Sequence, residues 1–209
     1  MKYYLSSYNI GNKAEKLKAM LPPNKQTLGY IPNALDYSTV DPQRREVSTE
    51  EGIQRLRELG IEAELLDLTN YFSDKDALKR KLTTLGGVWV RGGNVFVLRQ
   101  AMKLSALDEI LIEYAQAHTD FVYGGYSAAG CVLSPTLMAY QIVDDATETP
   151  YTQQHSVIWE GLGLIDYAFL PHYQSDHPES GDIDKEVEYC QEHQIPYKTL
   201  RDGEVIIIE

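Results

Sequence analysis

Apolar positions along the 209-residue chain follow two alternating rhythms. Short runs rich in β-branched and aromatic residues, at 3–7, 27–31, 61–66, 87–90 and 120–124, predict strands. Between them the spacing turns helical. Val47, Ile53, Leu56 and Leu59 recur at helical intervals, with acidic residues early and Gly60 just past the end, so a helix is expected over 47–59. Segments 75–85, 95–102 and 106–117 read the same way. Parallel neighbours need crossover connections, which are usually helices lying on the sheet. The alternation therefore predicts an α/β fold, a mostly parallel sheet with helices on both faces.

The last third is less regular. Residues 156–159 and 166–170 look extended, 171–182 is a loop rich in Pro, Gly, His and Asp, and 183–194 reads as a helix. Segments 197–200 and 204–208 flank the turn Arg201-Asp202-Gly203, which predicts a hairpin or strand pair. The polar stretch 35–51 is expected to be a mobile loop entering a helix. With no repeat or linker, a single domain over residues 1–209 is expected.

Chemistry on a parallel sheet gathers beyond the carboxyl ends of its strands. Two glycine-bearing segments fall there. In Gly124-Gly125-Tyr126-Ser127-Ala128-Ala129-Gly130 a strand runs into a turn of small residues, with a helix expected next. That is the setting of a nucleophile elbow, in which an awkward backbone at the serine demands small neighbours. A serine there sits beside N–H groups able to hold an oxyanion. Arg91-Gly92-Gly93-Asn94 follows the 87–90 strand and offers a second N–H, from Gly92 or Gly93. It lacks both the phosphate-loop and the dinucleotide glycine patterns.

A serine nucleophile needs a base, and the base an orienting acid. Of five histidines, His118 and His193 close helices and His155 lies in a polar loop. His172 follows the apolar run 167–171 at an expected strand end and is the candidate base; His177 and Asp176 lie close enough in sequence to shape its surroundings. The acid is Asp202, Asp144, Asp145 or Glu179. No metal-ligand spacing occurs, so neither metal nor cofactor is expected.

Composition narrows the partners. A formal net charge of −12 repels phosphate backbones and anionic lipid, which disfavours nucleic acid and membrane surfaces. Cys131 and Cys190 have no metal or redox spacing and are expected as buried thiols. No apolar run spans a bilayer and the amino terminus lacks a signal-peptide pattern, so a cytoplasmic location is expected.

Four stretches in order, VWVRGGNVFVLRQAM, YGGYSAAGCVLSPT, GLGLIDYAFLPH and YKTLRDGEVIII, resemble the dipeptidase E family of serine peptidases, related to cyanophycinase. The resemblance implies a flavodoxin-like sheet of the class I glutamine amidotransferase kind and cleavage of short peptides, in some members those with an amino-terminal aspartate. It implies Ser127 as nucleophile, His172 of the Pro171-His172 pair as base, and Asp202 of a Leu-x-acid-Gly turn as third member, with Asp144 or Asp145 as the alternative. The N–H groups of Ala128 and of Gly92 or Gly93 are expected to hold the oxyanion, with Asn94 beside them at the oxyanion or substrate; from its place next to the site, and not from the resemblance, Arg91 is expected to meet a substrate carboxylate. Two departures stand out: Arg91 replaces the first of three glycines, and Ala129-Gly130 inverts the usual Gly-Ala order. A glutamine amidotransferase would carry cysteine and an acid where this chain has Ser127 and Gln174, and a ligand-binding domain without activity is the non-enzymatic alternative.

Overall fold

A computed structural model of the protein describes residues 1–37 and 39–209; Ser38, inside the polar 35–51 stretch, lies outside the described residues. The elements run β1 (Lys2–Ser6), α1 (Ala14–Met20), β2 (Thr27–Ile31), α2 (Pro42–Glu58), β3 (Glu62–Leu65), α3 (Lys75–Leu82) and β4 (Gly87–Val90). They continue with α4 (Val95–Leu104), α5 (Leu107–Gln116), β5 (Val122–Tyr126), α6 (Ala128–Cys131), β6 (Ala168–Leu170), α7 (Ser180–Glu192), β7 (Tyr197–Thr199) and β8 (Val205–Ile208).

Six strands form one sheet in the order β3-β2-β4-β5-β1-β8. The β1, β2, β3, β4 and β5 pairings are parallel, while β8 runs antiparallel to β1. Successive residues of a strand face opposite sides, and the two sides bury different helices. Tyr3, Leu5, Val88, Val90 and Tyr123 join a core with α3, α4, α5 and α7. Tyr4, Trp89 and Val122 join a second core with Leu17 and Met20 of α1 and Leu56 of α2. Helices thus cover both faces, as the strand–helix alternation predicts.

Side-chain caps set the starts of α2, α3 and α4. Asp41 accepts from the Arg44 N–H at 2.9 Å and Pro42 takes the first helical position, so α2 begins five residues before its apolar spacing does. Its first turns are polar and leave no periodic signal. The short α1 is absent from the sequence reading for the same reason: Leu17 and Met20 are its only buried residues.

The carboxyl-terminal hairpin does not form. β7 pairs with β6 in a separate two-stranded parallel sheet, and β8 extends the main sheet along β1. The alternation in β8 explains this. Ile206 and Ile208 pack on one core, while Val205 and Ile207 pack on the other. A strand with two apolar faces gains more from a sheet covered on both sides than from a hairpin at the surface. Residues 156–159 form no strand either; Glu160 makes an isolated bridge to Thr136.

Candidate active site

The strand order brings β1, β5 and β4 side by side, so the segments leaving their carboxyl ends meet. Ser127 leaves β5 with φ +53° and ψ −114° and opens α6. Its N–H donates to the Ser6 carbonyl at 3.1 Å, and its carbonyl accepts from the Gly130 N–H at 2.8 Å. Such a backbone costs a non-glycine residue about 1–3 kcal/mol. Here the cost is borne by a turn fixed on both sides and packed by Ala128 and Ala129, both buried. Beside it Gly93 has φ +148°, and a Cβ there would strike the Ala34 carbonyl, so the β4 turn also requires glycine. The N–H groups of Gly93 and Ala128 have no acceptor among the described residues.

His172 follows β6, also with a positive φ of +59°. Its side chain is 2% exposed. Nδ1–H donates to Asp202 Oδ1 at 2.7 Å, which leaves Nε2 as the unprotonated nitrogen. The His172 N–H donates to Ser7 Oγ at 2.9 Å, and the Ser7 hydroxyl lies 2.9 Å from the same Asp202 oxygen. The Asp202 N–H is fixed in turn by Ser175 Oγ at 2.8 Å. The ring of His177 stacks on His172 with centroids 3.7 Å apart, and Tyr8 meets both rings edge-on. Burial, and then repulsion from His177, hold the His172 pKa below the ordinary histidine value, against the opposing pull of Asp202 and Glu179.

Ser127 and His172 line one cleft of about 470 Å³, with Arg91, Gly92, Gly93, His177 and Glu179. No hydrogen bond joins Ser127 to His172 among the described residues; catalytic hydrogen bonds are often long before substrate closes the site. Arg91 donates to the Gly92 carbonyl at 2.6 Å and to Ser48 Oγ at 2.8 Å, which holds its guanidinium at the cleft wall.

Not every expected residue reaches the cleft. Asn94 is a helix cap: its Oδ1 accepts from the Phe96 and Val97 N–H groups, and its Nδ2 donates to the Asp145 carbonyl at 3.0 Å. Asp145 accepts from Thr147 on the surface. Asp144 Oδ2 accepts from the Val95 N–H at 2.7 Å, and enclosure pushes its pKa up to about 7. Asp202 is thus the acid on His172 Nδ1. Asp144 instead lines a small void behind Ser127 with Glu186, whose Oε2 is buried without a partner and whose pKa burial raises well above the ordinary carboxyl range. Cys131 and Cys190 are both buried free thiols.

The sequence reading misses Ser7, Ser175, Tyr8 and the α2 arginines, Arg44 and Arg55, which also line the cleft. Ser7 had a signal, since it follows β1 directly, but the pairing of β8 with β1, which brings the Asp202 turn beside it, is needed to use it.

His172, His177 and Glu179 offer three potential ligand atoms within 4.8 Å of one another. The two imidazole planes, however, lie 9° apart in a parallel stack. In-plane lone pairs on stacked rings point alongside each other, so one cation cannot meet both well. The donor set therefore fits a metal poorly in this arrangement.

Among the described residues no helix is long and apolar enough to cross a membrane. The family model described as peptidase family S51 matches residues 7–209. Two relatives, uncharacterized peptidases of Listeria monocytogenes serovar 1/2a and Listeria innocua serovar 6a, are each 29% identical over 150 residues. Those matches cover 72% of this chain and 67% and 66% of the respective relatives. A solved structure from Listeria monocytogenes EGD-e, described as a peptidase E protein, superposes with a TM-score of 0.71 at 22% identity, covering 100% of this chain and 98% of that one. A peptidase from an acI-B1 Actinobacterium gives 0.70 at 16% identity, covering 100% and 83%. At these identities the two structures show the shared fold.

Proposed function

Because the chain belongs to peptidase family S51, we propose that this peptidase hydrolyses short peptides by acyl transfer to Ser127. The observation that carries the reading is the 2.7 Å bond from His172 to Asp202 in the cleft that the Ser127 turn lines. His172 Nε2 takes the Ser127 proton as the hydroxyl attacks the scissile carbonyl, and returns it to the leaving amine. Asp202 holds the tautomer and steadies the imidazolium. The N–H groups of Ala128 and Gly93 receive the oxyanion, each contributing about 3–4 kcal/mol to the transition state. Water, deprotonated by the same imidazole, then releases the acyl group. No step calls for a cofactor.

The guanidiniums of Arg44, Arg55 and Arg91 line the cleft of a strongly acidic protein. They favour peptides that carry carboxylates, and an amino-terminal aspartate is one such substrate. A dipeptide library assayed against wild type and Ser127→Ala tests the proposal. We expect kcat/KM to fall by about 10⁴-fold or more in the variant, with a melting temperature within about 2 °C of wild type. Retained turnover would end the serine mechanism. Labelling of Ser127 by a fluorophosphonate separates an active hydrolase from a domain that has only kept the fold.

A further inference from the structure

We infer that Glu179 is the anchor for the free α-ammonium of the residue whose carbonyl Ser127 attacks, so that the enzyme cuts one residue from the amino end. The inference rests on the serine-peptidase reading above and adds the group that sets where the cut falls.

Position comes first. Glu179 Oε2 lies 4.0 Å from His172 Nε2, the nitrogen that receives the Ser127 proton. Glu179 also borders both the main cleft and the small void behind the nucleophile, as Ser127 and Gly93 do. Its carboxylate therefore stands beside the base, at the edge of the space that the reacting carbonyl must enter. In a peptide the α-nitrogen is two bonds from that carbonyl carbon, about 2.5 Å away. An ammonium held by Glu179 would place its own carbonyl next to Ser127. A nitrogen one residue further along the chain would not.

Charge gives the second argument. The cleft's other carboxylate, Glu51, already has a cation, Arg55, at 3.6 Å. Among the described residues, the Glu179 carboxylate is paired with no lysine or arginine and meets the imidazoles of His172 and His177, at 4.0 and 3.9 Å. Its side chain keeps 43% of its surface exposed, so it can receive a ligand without rearrangement. The arginines come from α2 and the β4 turn, whereas Glu179 comes from the segment entering α7. A short zwitterionic peptide, ammonium at one end and carboxylate at the other, complements that division. An amide nitrogen carries no charge and donates one hydrogen instead of three, so an acetylated or interior residue gains much less from a carboxylate.

The test uses the dipeptide that wild type cleaves fastest, together with its N-acetyl and des-amino analogues. Wild type should prefer the free amine by about 100-fold or more in kcat/KM. Glu179→Gln should shrink that preference at least about tenfold, because the loss falls on the free amine. A role exerted only through His172 would slow all three substrates alike, and that result, or an undiminished preference, overturns the assignment. So does a wild type that cleaves the acetylated peptide as fast as the free one. Fluorophosphonate carries no amino group and reports on the nucleophile separately. A variant that still labels at Ser127 but has lost its preference supports the anchor, whereas a wild type that never labels removes the serine reading itself.

Discussion

The two walls of the cleft solve one problem by different means. Each holds a non-glycine residue at positive φ, Ser127 at +53° and His172 at +59°. On the nucleophile wall the backbone is held by packing. Ala129 is wholly buried, and a Cβ on Gly125 would strike the Val90 carbonyl and the Ala129 methyl group. On the base wall the backbone is held by polar contacts with partners far away in sequence. Ser7 and His172 are 165 residues apart, and Ser7 and Asp202 are 195 apart. Packing of small residues is a local property of the chain, while a network of hydroxyls, a carboxylate and an imidazole exists only after the strands have assembled. The nucleophile wall should therefore answer to changes of size, and the base wall to changes of hydrogen bonding.

The sharpest way to test that contrast is Asp202→Asn. The shape is kept, but the carboxamide can present N–H to Nδ1 and stabilise the wrong tautomer, with the proton on Nε2. We expect kcat to fall by about 10³- to 10⁴-fold while the melting temperature moves little, since Ser7, through the Leu200 carbonyl, and Ser175, through the residue 202 N–H, still tether the turn. A loss of under tenfold, measured with the best dipeptide, would mean that Asp202 does not orient the base.

The opposite pattern is expected for Gly125→Ala. The added methyl group enters a packed site between β5, β4 and α6, and overpacking of this kind costs about 1–3 kcal/mol. For a protein of this length that is a fall of several degrees in melting temperature, read by thermal denaturation. Activity should fall with it, since the serine is carried on the displaced strand. If Gly125→Ala melts like wild type, the nucleophile wall is not held by packing.

The same contrast marks how far the sequence could be read. The Ser127 turn was legible because its demand for small residues is written in consecutive positions. The strand–helix alternation gave the parallel sheet for a similar reason, as each βα unit declares itself within a few tens of residues. Asp202 was one of several acids until β7 joined β6 and carried its turn to His172. Ser7 follows the first strand, but it could not be placed, because nothing local says that β8 pairs with β1 and brings the Asp202 turn to it. Asn94 was misplaced in the opposite sense. Its position before a helix carried a capping signal, but the glycines ahead of it drew the residue toward the oxyanion, and the structure turns its side chain to the α4 backbone. The expected hairpin failed because turn chemistry at Arg201-Asp202-Gly203 fixes a bend without choosing partners for the strands on either side.

The smallest effect expected concerns the lid on the base, His177. The groups around the His172 ring are Asp202 on Nδ1, Glu179 near Nε2, the stacked His177 and the edge of Tyr8. Burial and the His177 charge lower the His172 pKa, while Asp202 and Glu179 raise it. Only the neutral imidazole can accept the Ser127 proton, so the acid limb of kcat/KM should lie below the ordinary histidine range. His177→Ala removes the repulsion and uncovers one ring face to water, and both changes favour the imidazolium. The His172 pKa should therefore rise and the acid limb move to higher pH. His177→Phe keeps a ring over His172 without the charge and should give a smaller shift of the same sign. Profiles of kcat/KM against pH for the three proteins decide it, and a limb that moves to lower pH in His177→Ala would show that His177 does not repel the charged base.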